Sequence, residues 1–250
     1  TAKFWFAGTF SNLTYPLRYT GKNGVKDKVT IAAGQTQKLP SDASHIGESG
    51  DCGTATATKN GDHYDFTLAH KAAYFTLTPF TTDSRLTGGK LTRIKITADK
   101  PLAGTFGFGD SGLDIATAPQ SPSNSITINL QGTDGTGFPL AATSSVTDNS
   151  ATIGLAPGTY STFDIEYTVI NPVTHFPGTV TASYTNINFN EGKNKKLAPD
   201  LTNAVFPIHY LFHDGTTGKL AEAGSRKAIG LVIIEKTSTT DGMAIAWKDA

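Results

Sequence analysis

Along most of the chain apolar and polar residues alternate one by one. In "AAYFTLTPF" Ala73, Phe75 and Leu77 fall on one side. In "LTRIKIT" Ile94 and Ile96 oppose Arg93 and Lys95, and in "SITINL" Ile126, Ile128 and Leu130 oppose Thr127 and Asn129. "HYDFTLAH" sets Tyr64, Phe66 and Leu68 against His63, Asp65 and Thr67. Side chains of a strand point to opposite faces in turn, so this period of two predicts strands with one buried and one wet face. Further candidate strands are "KFWFAGTF", "KVTIAAG", "GTVTASYT", "IGLVIIEK" and "GMAIAWKD". No stretch repeats apolar residues at helical spacing over three turns, so very little helix is expected.

Clusters of Gly, Pro, Asn and Asp separate these runs, as in "TGKNGVKD", "PLAGTFGFGDSG" and "NPVTHFPG". Asn60-Gly61 is the strongest two-residue hairpin signal. Many short strands with regular turn signals predict an all-β, antiparallel sandwich architecture rather than a βαβ core. The polar, glycine-containing "TTDSRLTGG" reads as a linker between a first sandwich over residues 1–83 and a second over residues 84–200. Residues 201–250 form an appended β segment.

Composition adds to this picture. Charged residues are only 17% of the 250, and the 21 Lys and Arg balance the 21 Asp and Glu. A chain with no net charge offers no basic field for nucleic acid or an anionic membrane, so neither is an expected partner. The single cysteine, Cys52, has no basic neighbour and reads as a bystander rather than a reactive thiol. No run of 18 apolar residues is present to span a membrane. The chain starts at Thr1 without a charged-then-apolar leader, which predicts a processed or trimmed chain.

Candidate chemistry is sparse. "STFDIEYTV" places Phe163, Ile165, Tyr167 and Val169 inward, leaving Asp164 and Glu166 together on the outer face. Same-face neighbours on a strand lie about 7 Å apart, near the spacing of an inverting glycosidase pair. An exposed face gives too little desolvation to raise one pKa, however, so the pair reads as a solvated surface. His209 and His213 in "PIHYLFHDG" share a strand face but stand about 13 Å apart, too far for one metal ion. "GTFGFGDSG" lacks a following helix to present amides to a phosphate, and no nucleophile-elbow serine is present. No cofactor, metal or catalytic residue is therefore expected. Trp5 and Trp247, near the two chain ends, are candidate platforms for sugar stacking, which keeps open a carbohydrate-binding module for polysaccharide capture.

Five segments taken in order, "LAHKAAYFTLTPF", "KLTRIKITADKPLAGTF", "SNSITINL", "LAPGTYSTFDIEYTV" and "GTVTASYT", resemble the fimbrillin-like surface proteins of anaerobic gut and oral bacteria. The resemblance covers roughly residues 60 to 200 and lies in the order of the segments, none of which is chemically specific. It implies two transthyretin-like β-sandwiches, a non-catalytic role as a fimbrial subunit or adhesin, and export as a lipoprotein to the outer membrane. It also implies partners that are other pilus subunits, or the chain itself, joined by strand addition, with an unidentified host, bacterial or glycan receptor. Membrane contact would then run only through a lipid anchor outside this chain.

"KAIGLVIIEKTSTTDGMAIAWKDA" resembles a segment appended to some of these proteins, where it often runs on, leaving open whether Ala250 is the native end. Ile229 to Ile234 is apolar on both faces and predicts a strand buried on both sides. "MAIAW" alternates again, and "TSTTDG" reads as the turn between them. The candidate assembly residues are Ile229, Leu231, Ile233, Met243, Ile245 and Trp247, on strands that pack on the second sandwich, start a small third domain, or are donated to a neighbour.

Overall fold

A computed structural model describes residues 2–22, 24–234 and 241–246. The strands of the first part are β1 (Thr14–Tyr19), β2 (Lys28–Ile31), β3 (Gly34–Gln37), β4 (Gly53–Asn60), β5 (His63–Asp65), β6 (Ala69–His70) and β7 (Ala73–Leu77). The middle holds β8 (Lys90–Ala98), β9 (Ala103–Gly109), β10 (Gly112–Leu113), β11 (Gln120–Ser123), β12 (Ser125–Leu130), β13 (Phe138–Pro139) and β14 (Ala151–Leu155). Last come β15 (Gly158–Ile170), β16 (Pro177–Phe189), β17 (Asn194–Leu197), β18 (Tyr210–Phe212), β19 (Thr217–Gly218), β20 (Ala228–Ile234) and β21 (Met243–Ala246). Among the described residues helix is confined to single turns, α1 (Ile46–Ser49), α2 (Val146–Asn149) and a 3₁₀ turn at Leu220–Glu222. The chain is an all-β sandwich, as its alternation predicts.

The largest sheet runs β16-β15-β8-β12-β3. Against its inner face lie the β14-β7-β17 sheet and the sheet in which β9 pairs with β2 and β11. One core joins them, containing Phe75, Leu77, Ile94, Ile96, Ile128, Ile153, Phe163 and Ile165. Its centre is aromatic: Phe189 stands 5.2 Å from both Phe75 and Phe163, centroid to centroid. Each such side chain, fully buried, contributes roughly 1.5–3 kcal/mol. The opposite face of the large sheet carries Arg93, Lys95 and Asp164, all exposed. The predicted inward residues of β7, β8, β12 and β15 are thus the ones buried.

Several expectations are corrected. The boundary at residues 83/84 does not separate two cores: β3 pairs with β12, β2 with β9, and β7 with β14 and β17. The "linker" is a packed turn, because Leu86 at its middle is fully buried and Leu86 N–H donates to Asp83 O (2.9 Å). Two pairings, β3–β12 and β7–β17, are parallel rather than antiparallel. "KFWFAGTF" forms no strand; alternation supplies propensity, but among the described residues nothing takes up its backbone hydrogen bonds in a ladder. The hairpin turn is Gly61-Asp62, one residue later than expected, with Asn60 opposite His63. Gly61, at φ +62°, occupies the position where the reversed turn needs a positive φ.

Residues 14–70 also form a smaller sheet, β1-β4-β5 with β6 beside β4. After β17 the chain first returns to the core, where Leu201 is fully buried and Val205 bridges to Thr179. It then forms a separate sheet, β19-β18-β20-β21.

Candidate interaction surfaces

The first surface is the terminal sheet. β20 is paired on both edges, by β18 and by β21, while β21 pairs with β20 alone among the described residues. Leu231 lies opposite Ile245, so both side chains share one face. That face is open: Leu231 is 37% exposed, Met243 53% and Ile245 59%. Ile229 and Ile233 are half-buried, and only Gly230 and Val232 of β20 are buried. The expectation of a strand buried on both sides is therefore corrected. β20 is central in its sheet, which accounts for its apolar run, but among the described residues no second layer covers the Leu231 face. The predicted turn residues Thr237 to Thr240 and the candidate Trp247 lie outside the described residues.

The second surface is the arm of residues 2–12. Trp5 is 93% exposed, and Phe4 and Phe6 are also open to solvent. The arm is held at its base by rings rather than by a ladder. Phe10 packs edge-on against Tyr15 (5.3 Å), and Tyr15 against Tyr64 (5.5 Å). The Tyr15 hydroxyl accepts from the N–H groups of Ser11 (2.9 Å) and Asn12 (3.0 Å). These bonds favour the phenolate and lower the Tyr15 pKa. The Tyr64 hydroxyl donates to Asn12 O (2.7 Å).

The third is a groove on the outer face of the β14-β7-β17 sheet, missed in the sequence because its residues come from four distant segments. Its floor is a hydrogen-bonded row: Asn194 Nδ2 donates to Thr76 Oγ1 (2.9 Å), which meets Thr152 Oγ1 at 3.0 Å. One wall is the segment Ser41 to Gly47. His45 ties that wall to β14 through Nε2 and Thr152 O (2.9 Å). Burial pushes the His45 imidazole below its ordinary pKa, so it is the neutral form that donates there. The main part encloses about 480 Å³ beside Lys196, Leu197, Ala198 and Val146. Toward Asp51, His70 and Tyr74 it continues into a second hollow. There Asp51 Oδ1 accepts from the Tyr74 hydroxyl and lies 2.8 Å from His70 Nδ1.

The residues weighed for chemistry form no common cluster; His209 and His213 flank β18 of the terminal sheet, where Val232 N–H donates to His209 O and His213 N–H to Lys227 O. Asp164 is exposed and Glu166 is partly so, the latter paired with Arg93 at 3.3 Å across the sheet. His209 packs on the Phe176 ring, and His213 Nδ1 accepts from Lys227 N–H. Cys52 is buried, and burial with the Asp51 charge pushes its thiol up to about 12. Among the described residues no three His, Cys, Asp or Glu side chains gather as a metal site. No helix of the described residues is long and apolar enough to cross a membrane.

No family model matches the sequence, and no curated protein matches it. Among solved structures, the chain is similar to a fimbrial protein from Bacteroides ovatus, at 11% identity and a TM-score of 0.26. The match covers 81% of this chain and 36% of that one.

Proposed function

We propose that the chain is a non-catalytic component of a bacterial surface fimbria or adhesin, assembling through its terminal sheet. The observation that carries the reading is where the five fimbrillin-like segments fall. Taken in order they supply β7, β8, β12, β15 and β16, the strands that build one core, while apolar side chains stay exposed on the terminal sheet. An uncovered apolar face beside an edge strand is a ready template for strand addition, with main-chain bonds giving affinity and side chains giving specificity. β21 is the element suited to exchange, since moving β20 would break two ladders and moving β21 only one. The partly exposed, Arg-paired Glu166 and its solvated neighbour Asp164 support a non-catalytic surface there. Outer-membrane attachment through a lipid anchor belongs to the same proposal.

Ile245→Glu tests it. The side chain is exposed, so the variant should remain a folded monomer by circular dichroism and light scattering. It should also lose the fibres or oligomers that the intact chain forms at high concentration. An intact chain that stays monomeric at every concentration overturns the assembly reading. Immunogold labelling of intact cells of the source organism, negative at the surface, overturns the location.

A further inference from the structure

We propose that the groove over the β14-β7-β17 sheet binds an acidic saccharide unit, a sugar ring bearing a carboxylate. Three kinds of contact converge there. Lys196 is exposed at the groove and, among the described residues, forms no ion pair, so its ammonium is uncommitted. The floor supplies hydroxyl and amide partners. Asn194 spends one N–H on Thr76, and one proton serves the Thr76–Thr152 pair; the Asn194 carbonyl oxygen and a further hydroxyl proton remain. Ala198 and Val146 add a small apolar strip, which suits the C–H face of a sugar ring. The volume of about 480 Å³ lies within the range of small-molecule sites, roughly 300–1,000 Å³.

The same geometry argues against an extended peptide. The floor is the face of a sheet, whose backbone groups are consumed by the β14–β7 and β7–β17 ladders. A peptide strand would find no main-chain partners there, whereas a saccharide needs only side-chain hydroxyls and amides. A phosphate dianion is disfavoured too, because its second charge calls for further cations or a nest of backbone amides beside the single lysine, whereas a carboxylate carries one charge. The proposal rests on the surface-protein reading only for where such glycans would be met. Binding is read on the purified protein, so its failure leaves the assembly reading untouched.

The test is an amide-detected NMR titration of the intact chain. The probes are 3′-sialyllactose and tetragalacturonate, with lactose as neutral control and hexaglutamate as acidic peptide. Shifts should concentrate at Ser41, Thr76, Thr152 and Asn194 with at least one acidic saccharide, and which probe acts separates sialic from uronic acids. Lactose should bind at least tenfold more weakly. Lys196→Gln should weaken binding at least tenfold, since a charge-assisted hydrogen bond is lost. Lys196→Arg should retain it, and Lys95→Gln, on the far sheet, should change nothing. No shifts at the groove up to about 10 mM of either acidic saccharide, a limit near −3 kcal/mol, overturns the proposal. So does equal binding of lactose, or hexaglutamate binding there in place of both sugars.

Discussion

Gln37 and Gln35 close the side of the sandwich where β3 of the large sheet meets β14 of the facing one, and this makes a sharp prediction. Both glutamines are buried, Gln37 completely. Gln37 Oε1 accepts from Thr152 N–H (2.8 Å), and its Nε2 donates to Ser150 O (3.0 Å) and Leu39 O (2.9 Å). Two residues earlier, Gln35 Oε1 accepts from Gly154 N–H (3.1 Å) and Nε2 donates to Gly154 O (2.7 Å). The side-chain amides thus do for β14 what a neighbouring strand would do. Gln37→Leu keeps most of the volume but orphans the Thr152 N–H; Ser150 O retains only the long bond from Ser41 N–H (3.3 Å). One buried unsatisfied group costs about 1–3 kcal/mol, and a second, weakened one brings the expected loss to about 2–4 kcal/mol.

Urea unfolding followed by circular dichroism measures that loss, and hydrogen exchange locates it. The Thr152 amide should be strongly protected in the parent and exchange rapidly in Gln37→Leu, while amides of β8 stay protected. Gln37→Glu discriminates further. At neutral pH its carboxylate faces the carbonyls of Ser150 and Leu39, so it should cost more than Leu. Burial raises such a carboxyl's folded-state pKa, so the extra cost is present above that pKa and disappears as pH falls and the acid can donate again. Thr36→Ala, whose side chain is exposed between the two glutamines, should change stability by less than about 0.5 kcal/mol. A Gln37→Leu loss no larger than that control, or a Gln37→Glu variant indifferent to pH, would refute the amide-for-strand account.

Other outcomes follow from single sites. The Tyr167 hydroxyl is buried with no hydrogen-bond partner among the described residues, so Tyr167→Phe should be neutral or stabilising by about 1 kcal/mol in the same urea assay. Gly50 ends α1 at φ +115°, where an added Cβ would stand 2.7 Å from Ile31 Cα; Gly50→Ala should cost about 2–4 kcal/mol from backbone strain and overpacking together. The raised thiol pKa and burial of Cys52 predict negligible alkylation by iodoacetamide at pH 8 in the folded chain and rapid reaction in denaturant. Asp134, held well below its ordinary value of 3.8 by Thr136 and then Lys90, contributes stability that is full above that value and is lost as pH falls through the lower folded one. Asp134→Asn should therefore flatten the acid limb of a stability–pH curve.

How much of this was legible depended on the distance over which each residue is satisfied. Phe163, Ile165, Tyr167 and Val169 could be placed inward because a strand's two faces are fixed by its own period. The all-β class followed from the same local rule. What alternation cannot report is which strand lies next to which. Nothing local joins β3 to β12 or β7 to β17, and so a polar turn around a buried Leu86 passed for a domain linker. Nothing local marks Gln35 and Gln37 as core, since only β14, more than a hundred residues away, makes them so. The groove stayed hidden for the same reason. Conversely, the apolar run of β20 announced burial on both faces, and the structure supplies neighbours on both edges but a cover on one face only.

The treatment of edges gives the terminal sheet its meaning. An unpaired strand edge invites another chain, and the sandwich blunts its own edges by distinct means. The β14 edge is occupied by glutamine amides. Along the β16 edge, Val205 bridges to Thr179 near the start, and Asn186 at φ +52° distorts the strand further on. The β17 edge carries Lys195 and Lys196, both exposed. At β21 no such device stands among the described residues, and Met243 and Ile245 add exposed apolar surface where a protected edge would carry charge. Under the proposed assembly, the β21 edge, apolar where those of β14, β16 and β17 are guarded, would be the one that directs association. Placing a charge at Ile245 supplies the missing guard, which is why that substitution, rather than a deletion that would strand β18, separates assembly from folding.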